Sequence, residues 1–317
     1  MKITANRLTF LRIILLPLPC LLLYGGPGAK LAALGMGSLL GLTDYFDGKL
    51  ARRQGVTRLG AFLDPIADKI FVSTLYFYLA RLGFLPLWLV GVILLREFLV
   101  SSLRPKVSGN LPVVWLAKVK TTIQMLGAAL LVAIGAFPEW AFYFFLFAAG
   151  IIWLGIFLSK LPFSKAVFLG IMALVLPLVG HLPAEKAAFV LGLGLFLITW
   201  LSATSYLQKA FHSLRLREGF EVFLEVLLPL LALLGSAKLK GLLGLLPPAV
   251  LVLFFLRAAL LLIKPASFSQ LAIFLLGVSG LLALVFPSFL APWMLLLGVY
   301  FMAEVFALFK GRWQLLA

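Results

Sequence analysis

Several kinds of residue are scarce in this chain, and each scarcity excludes something. A single cysteine, Cys20, lies within an apolar run, so no intrachain disulfide can form; it reads as a small core or lipid-facing residue. The only two histidines, His181 and His212, are far apart and carry no metal-ligand pattern. Charged residues make up only 12% of the chain, and no polar stretch is long enough for a separate globular domain outside the apolar segments. Acids are scarcer still, 11 against 27 Lys and Arg, giving a formal charge of +16. That excess would suit nucleic acid if it formed a basic domain. Here it punctuates apolar segments instead, which is a topology signal with contact to anionic lipid, so no nucleic acid is expected.

What remains is apolar. Hydrophobic residues account for 63% of the 317 positions, 29 of them phenylalanine, and the mean hydropathy is +1.15. Runs near the length of a bilayer-spanning helix recur throughout, so an all-α polytopic membrane protein with about 10–12 spans is expected. Approximate spans are 8–25, 29–51, 60–81, 85–104, 113–136, 139–158, 164–180, 185–209, 219–236, 243–263, 268–287 and 289–309. The first 25 residues lack a small-residue cleavage site before Gly25, and a retained first helix is expected rather than a signal peptide. Basic residues crowd alternate connections: the N-terminus, Arg52, Arg53 and Arg58, the 104–120 segment, Lys160 with Lys165, the 209–217 turn, Arg257 with Lys264, and the tail. The opposite connections are poorer in charge, so both termini are expected on the cytoplasmic side.

The chain has only four aspartates, Asp44, Asp47, Asp64 and Asp68, and they fall within 25 residues bordered by apolar helix. An isolated carboxylate in such surroundings is too costly to keep ionised, so each must be paired, hydrogen-bonded or protonated. Asp44 and Asp47 are three apart and Asp64 and Asp68 four apart, so each pair shares a face of its own helix. Two such helix ends brought together form an all-oxygen donor set suited to hard divalent cations. Small residues, Gly48, Ala51 and Gly60, leave room for close approach, and Arg52, Arg53 and Arg58 supply charge for a phosphate group. From these residues alone, a metal-assisted enzyme, a cation or proton transporter and a structural ionic network all stay open.

The segment from Asp44 to Arg52 (Asp44-Tyr-Phe-Asp47-Gly48-Lys-Leu-Ala51-Arg52), followed by Gly60-Ala-Phe-Leu-Asp64-Pro-Ile-Ala-Asp68, closely resembles the signature of the CDP-alcohol phosphatidyltransferases. These membrane enzymes replace the CMP of a CDP-linked lipid with an alcohol. The usual pattern has eight residues between the arginine and the next glycine. This chain has seven, positions 53–59, a shortening that falls in a turn. The resemblance implies that Asp44, Asp47 and Asp64 bind two Mg²⁺ ions (or Mn²⁺). Asp68 is then the general base, with a fourth metal ligand as its alternative role. Gly48, Ala51, Arg52 and Gly60 would line the nucleotide side of the CDP-lipid.

Two further stretches, Leu95-Arg96-Glu97-Phe98 through Arg104 and Ala117-Lys118-Val119-Lys120 through Met125, are similar to the bacterial phosphatidylglycerophosphate synthase branch, as is Asn6-Arg7-Leu8-Thr9 followed by Arg12. That resemblance implies CDP-diacylglycerol and sn-glycerol 3-phosphate as substrates, with Arg104, Lys118 and Lys120 receiving the acceptor phosphate. Lys106 reads as a snorkelling residue. Arg96 and Glu97 are either a wall of the site or a satisfied intramembrane pair. The same transfer onto inositol phosphate or onto phosphatidylglycerol, as in cardiolipin synthesis, is the alternative; a cation-coupled transporter is the rival from another class. The resemblance implies a catalytic membrane domain over 1–210, with 139–180 as an inserted hairpin, in the cytoplasmic (inner) membrane of a bacterium with the site facing the cytoplasm. Residues 211–317 form a C-terminal extension of Leu-rich spans. It is expected to pack on the core, form a homodimer surface or shape lipid access. Trp293, Tyr300 and Trp313 read as interfacial anchors.

Overall fold

The computed structural model describes residues 5–54, 58–104, 106, 115–158, 161–239, 246–263 and 270–309. The described residues form helices and short turns with no strand, an all-α multi-span bundle. In chain order the helices are α1 (Ala5–Leu15), α2 (Pro17–Leu22), α3 (Pro27–Gln54), α4 (Arg58–Arg81), α5 (Leu87–Leu103), α6 (Trp115–Ala136), α7 (Ala141–Leu158), α8 (Phe163–Gly180), α9 (Ala184–Leu201), α10 (Thr204–Ser213), α11 (Leu216–Gly235), α12 (Leu246–Ile263), α13 (Gln270–Val285) and α14 (Leu290–Phe309). Among the described residues, five helical segments are long and apolar enough to cross a membrane: Pro138–Leu158, Phe163–Gly180, Ala184–Leu201, Leu216–Lys238 and Pro287–Leu308. Shorter apolar stretches lie in α1–α2, α6, α12 and α13.

Two expected spans are each two helices. The first divides at Leu16, where Pro17 and Pro19 remove backbone donors and prolines favour a new first turn. The span expected over 185–209 ends at Leu201, and α10 begins after the turn at Ser202 and Ala203. There Ser202 Oγ donates to Thr199 O at 2.7 Å, a local bond that competes with continued helix. Between α4 and α5 the chain turns through Gly83, whose φ of +76° lies where a side chain would be strained.

Helix α5 is the centre of the bundle. Leu89, Val90, Ile93, Leu94 and Phe98 are fully buried, and the helix packs against α4, α9, α11 and α12. On one side α1 and α6 pack against the helices α3 and α4 that carry the acidic motifs; on the other, α11 packs on α5 and α12 on α4 and α5, with α13 and α14 packed on α11 and α12. The α7–α8 hairpin lies at the periphery, against α6 and α9, with Phe147, Phe157, Phe163 and Leu178 exposed. A helix apolar all round, like α7, has a lipid-facing surface as greasy as its packed one. Helices in such surroundings associate by close packing rather than by hydrophobic drive. Gly180 provides it here: a Cβ there would come within 3.0 Å of the Phe142 backbone.

Candidate active site

The acidic residues lie where a hairpin brings two helix ends together. Asp44, Asp47, Gly48, Ala51 and Arg52 are in the last turns of α3, and Gly60, Asp64 and Asp68 in the first turns of α4. Residues 55–57 alone join the two helices, so the ends Gln54 and Arg58 are at most roughly 15 Å apart. The side chains of Asp44, Asp47, Gly48, Ala51, Arg52, Gly60, Asp64 and Lys118 lie outside the described residues. Asp68 is described, and its side chain is 29% exposed.

A buried arginine from the first helix ties the hairpin together. Arg12, 1% exposed, donates from Nη1 to Asp68 Oδ1 at 3.0 Å and from Nε to Thr43 Oγ1 at 3.3 Å. Thr43 immediately precedes Asp44, so one guanidinium spans from the residue beside the α3 acids to the last acid of α4. The fork of a guanidinium permits two fixed donations at once, which an ammonium does not hold in the same way. Thr43 is itself fixed by donating to Leu40 O at 2.5 Å.

Beside Asp68 the interior is polar and cationic. Lys120, on α6, donates to Glu97 Oε1 at 2.5 Å, and Arg96 Nη1 donates to both Glu97 oxygens at 3.2 and 3.3 Å. All three are buried. Arg96 Nη2 donates to Ser202 Oγ at 3.0 Å, while Arg96 Nε is buried with no partner among the described residues. Lys69, next to Asp68, donates to Ser101 Oγ at 2.7 Å and lies 5.9 Å from the Phe255 ring centre. Ser101 in turn donates to Glu97 O at 2.6 Å. Gln124 Nε2 donates to Thr199 Oγ1 at 3.1 Å, and the Gln124 backbone carbonyl accepts from Tyr76 Oη at 3.1 Å. These bonds join α4, α5, α6 and α9 beneath the acidic hairpin.

Among the described side chains, Arg96 and Lys120 therefore share one buried carboxylate, Glu97, and Lys69 lies one hydrogen bond away through Ser101. Asp68 acts electrostatically on Lys120, and Arg104 on Lys69. Arg104 is exposed just past α5. Of the two readings open for Arg96 and Glu97, the buried ion pair is observed, and it includes Lys120. Lys120 keeps donors beyond the one given to Glu97, because an ammonium has three. Sequence reasoning gave no role to Arg12, Lys69, Ser101 or Thr199; the available signal was polar side chains recurring inside otherwise apolar helices.

The donor set expected for the metal is all carboxylate oxygen, the chemistry that Mg²⁺ or Mn²⁺ requires, and it sits on two helices clamped by Arg12. Among the described residues no group of three His, Cys, Asp or Glu side chains converges; three of the four aspartates lie outside that set.

Fold and site together define a polytopic membrane protein with an acidic helical hairpin backed by buried cations. The family model for CDP-alcohol phosphatidyltransferases matches residues 2–161. The chain belongs to that family. A probable phosphatidylglycerophosphate synthase of Mycobacterium tuberculosis is 41% identical over 135 residues, 40% of this chain and 65% of the relative. The CDP-diacylglycerol–glycerol-3-phosphate 3-phosphatidyltransferase of Rickettsia typhi is 37% identical over 165 residues, 50% of this chain and 92% of the relative. The Bacillus subtilis protein of the same name is 34% identical over 143 residues, 40% of this chain and 74% of the relative. The chain thus spans a little under two thirds of the Mycobacterium relative's length. No solved structure matches it.

Proposed function

We propose that this protein transfers the phosphatidyl group of CDP-diacylglycerol to sn-glycerol 3-phosphate, releasing CMP and phosphatidylglycerophosphate. Family membership supports the reaction type, and the names of the relatives support the acceptor. The observation that carries the choice of an anionic acceptor is the grouping of Lys69, Arg96 and Lys120 near Glu97, beside Asp68, in which the described cations outnumber the described carboxylates. Uncompensated buried cations are costly without an anion, and a phosphate dianion answers that need.

In this reading Asp68 accepts the proton of the acceptor hydroxyl, whose oxygen bonds to the lipid-side phosphorus as the bond to the CMP phosphate breaks. Arg12 holds the Asp68 carboxylate in place through its contact at 3.0 Å. Asp44, Asp47 and Asp64, with Asp68 as an alternative fourth ligand, would hold Mg²⁺, which supplies charge stabilisation to the diphosphate. Gly48, Ala51, Arg52 and Gly60 receive the nucleotide side, and Lys118, Lys120 and Arg104 the acceptor phosphate. The basic connections support a cytoplasmic-facing site in a bacterial inner membrane. Residues 1–210 carry the catalysis, and 211–317 buttress it.

The test is CMP release by the purified protein with CDP-diacylglycerol and Mg²⁺, with glycerol 3-phosphate, inositol phosphate, glycerol, serine and phosphatidylglycerol supplied separately. Release with glycerol 3-phosphate alone, abolished by EDTA and restored by Mg²⁺, is expected. Release with inositol phosphate or phosphatidylglycerol instead would keep the chemistry and overturn the acceptor.

A further inference from the structure

Lys106 does not snorkel. Its side chain is 18% exposed, and its Nζ lies 2.8 Å from Glu221 Oε2 and 3.7 Å from Glu225 Oε1, both on α11. Glu225 Oε1 is also 3.4 Å from Arg257 Nη2 on α12, and Arg257 Nε donates to Glu304 Oε2 on α14. Tyr300 Oη closes the array by donating to Glu304 Oε1. A continuous line of charge therefore runs from three C-terminal helices to one lysine just past α5.

The place where it ends gives the line its significance. Arg104 N donates to Val100 O at 3.1 Å and Lys106 N to Leu103 O at 2.9 Å, so both residues belong to the turn that closes α5. The same C-terminal helices press on the site from a second direction, since Phe254 and Phe255 of α12 pack on Phe98 of α5 at ring-centre distances of 5.4 and 5.7 Å.

We propose that Glu221 and Glu225 are positioning residues: by holding Lys106 they fix the turn carrying Arg104, so that the C-terminal helices set affinity for the phosphorylated acceptor. This rests on the transfer reading above. An arginine that must meet a phosphate in a fixed geometry loses affinity when its backbone is released, even though no group touching substrate has changed.

Glu221→Gln and Lys106→Met should each raise the KM for glycerol 3-phosphate about 5- to 10-fold, with kcat and the KM for CDP-diacylglycerol within about twofold of wild type. The double variant should be no worse than either single one, and Lys106→Arg should stay near wild type, because the ion pair survives. A KM for the acceptor that does not move would overturn the proposal. So would a KM that falls in Glu221→Gln, because Lys106 would then be a direct phosphate ligand freed by the change. A purely structural role would lower the active fraction, and hence kcat, and leave KM alone. Amide hydrogen exchange at Arg104 and Lys106 in detergent gives a readout without turnover. Faster exchange in Glu221→Gln is expected, and unchanged exchange sinks the tether even if the wild-type protein releases no CMP with any acceptor, a result that would separately count against the transfer reading.

Discussion

Two buried charge clusters flank α5, and they differ in balance. On the side of the acidic hairpin, Arg96 and Lys120 share Glu97, Lys69 turns to Ser101, and Arg96 Nε has no partner among the described residues. On the C-terminal side, Lys106 and Arg257 meet Glu221, Glu225 and Glu304, with the exposed Arg217 beside Glu221 and with Glu225 Oε2 unpartnered among the described residues. A set in which each charge meets one of opposite sign needs no ligand to be tolerated within an apolar bundle. A set in which the described cations outnumber the described carboxylates leaves room for a further anion, because an uncompensated buried charge is expensive. Under the proposed transfer reading, that difference separates the cluster that would receive a ligand from the one that holds helices together.

That contrast is open to experiment, beginning with the largest effect. Asp68→Asn removes the proposed proton acceptor while retaining shape, and CMP release should fall by about 10²- to 10⁴-fold. The thermal midpoint in detergent should stay close to wild type, since Arg12 can still donate to an amide oxygen. Activity within tenfold of wild type would remove Asp68 from the role of base.

Next comes the balanced cluster. Among the described residues, Arg257→Met would leave Glu304 with Tyr300 alone and Glu225 with only the longer contact to Lys106, and breaking such a buried pair costs about 3–5 kcal/mol. Chemical denaturation in mixed micelles should report that loss, with the acceptor KM of the remaining folded protein little changed as long as the Lys106–Glu221 pair persists. An unaltered denaturation midpoint would mean that the array contributes nothing to holding α11, α12 and α14.

Lys120→Met probes the unbalanced cluster. Glu97 keeps Arg96 as partner, so the fold should survive with a smaller stability loss than for Arg257→Met. The acceptor KM should rise by about 10- to 100-fold, the worth of one charge-assisted hydrogen bond to phosphate. Steady-state kinetics with glycerol 3-phosphate varied at fixed CDP-lipid would show it. A fall in stability with no change in KM would make Lys120 a structural partner of Glu97 alone.

Much of this comparison was legible in the sequence on one side of α5 and little on the other. The acidic pairs stand out because carboxylates three and four apart in apolar helix have few uses, and the hairpin that carries them follows from the spacing. Twelve apolar runs anticipated the helices closely, including those of the C-terminal region. The partners of the buried charges were not legible. Arg257 reads in sequence as one more basic residue near a cytoplasmic connection, and Lys106 as a snorkelling side chain. Their ion pairs join residues 47 and 115 positions apart, and no local pattern encodes which helix faces meet. Arg12 is a similar case: its place in a resembling motif was visible, but its simultaneous hold on Thr43 and Asp68 depends on α1 lying between α3 and α4.

Trp293 offers the smallest test and the clearest example of that limit. Near the start of an apolar span a tryptophan reads as an interfacial anchor, yet here it is buried, with its indole Nε1 donating to Leu276 O at 2.9 Å. Its ring lies against Gly280, where an added Cβ would meet Trp293 Cζ2 at 2.4 Å and Leu231 Cδ1 at 3.0 Å. The tryptophan therefore locks α14 onto α13 through a pocket that only glycine leaves open. Trp293→Phe loses one neutral hydrogen bond and part of the ring contact, and should lower stability by about 1 kcal/mol. Gly280→Ala should cost somewhat more, about 1–3 kcal/mol, because the obstructing atoms belong to a rigid ring rather than to the end of a flexible chain. Gly277→Ala, one turn away, would make only an ordinary contact at 3.5 Å with Leu227 and serves as the control. Denaturation midpoints ranked in that order would assign Trp293 to the helix interface; equal midpoints for Trp293→Phe and wild type would return it to the membrane boundary.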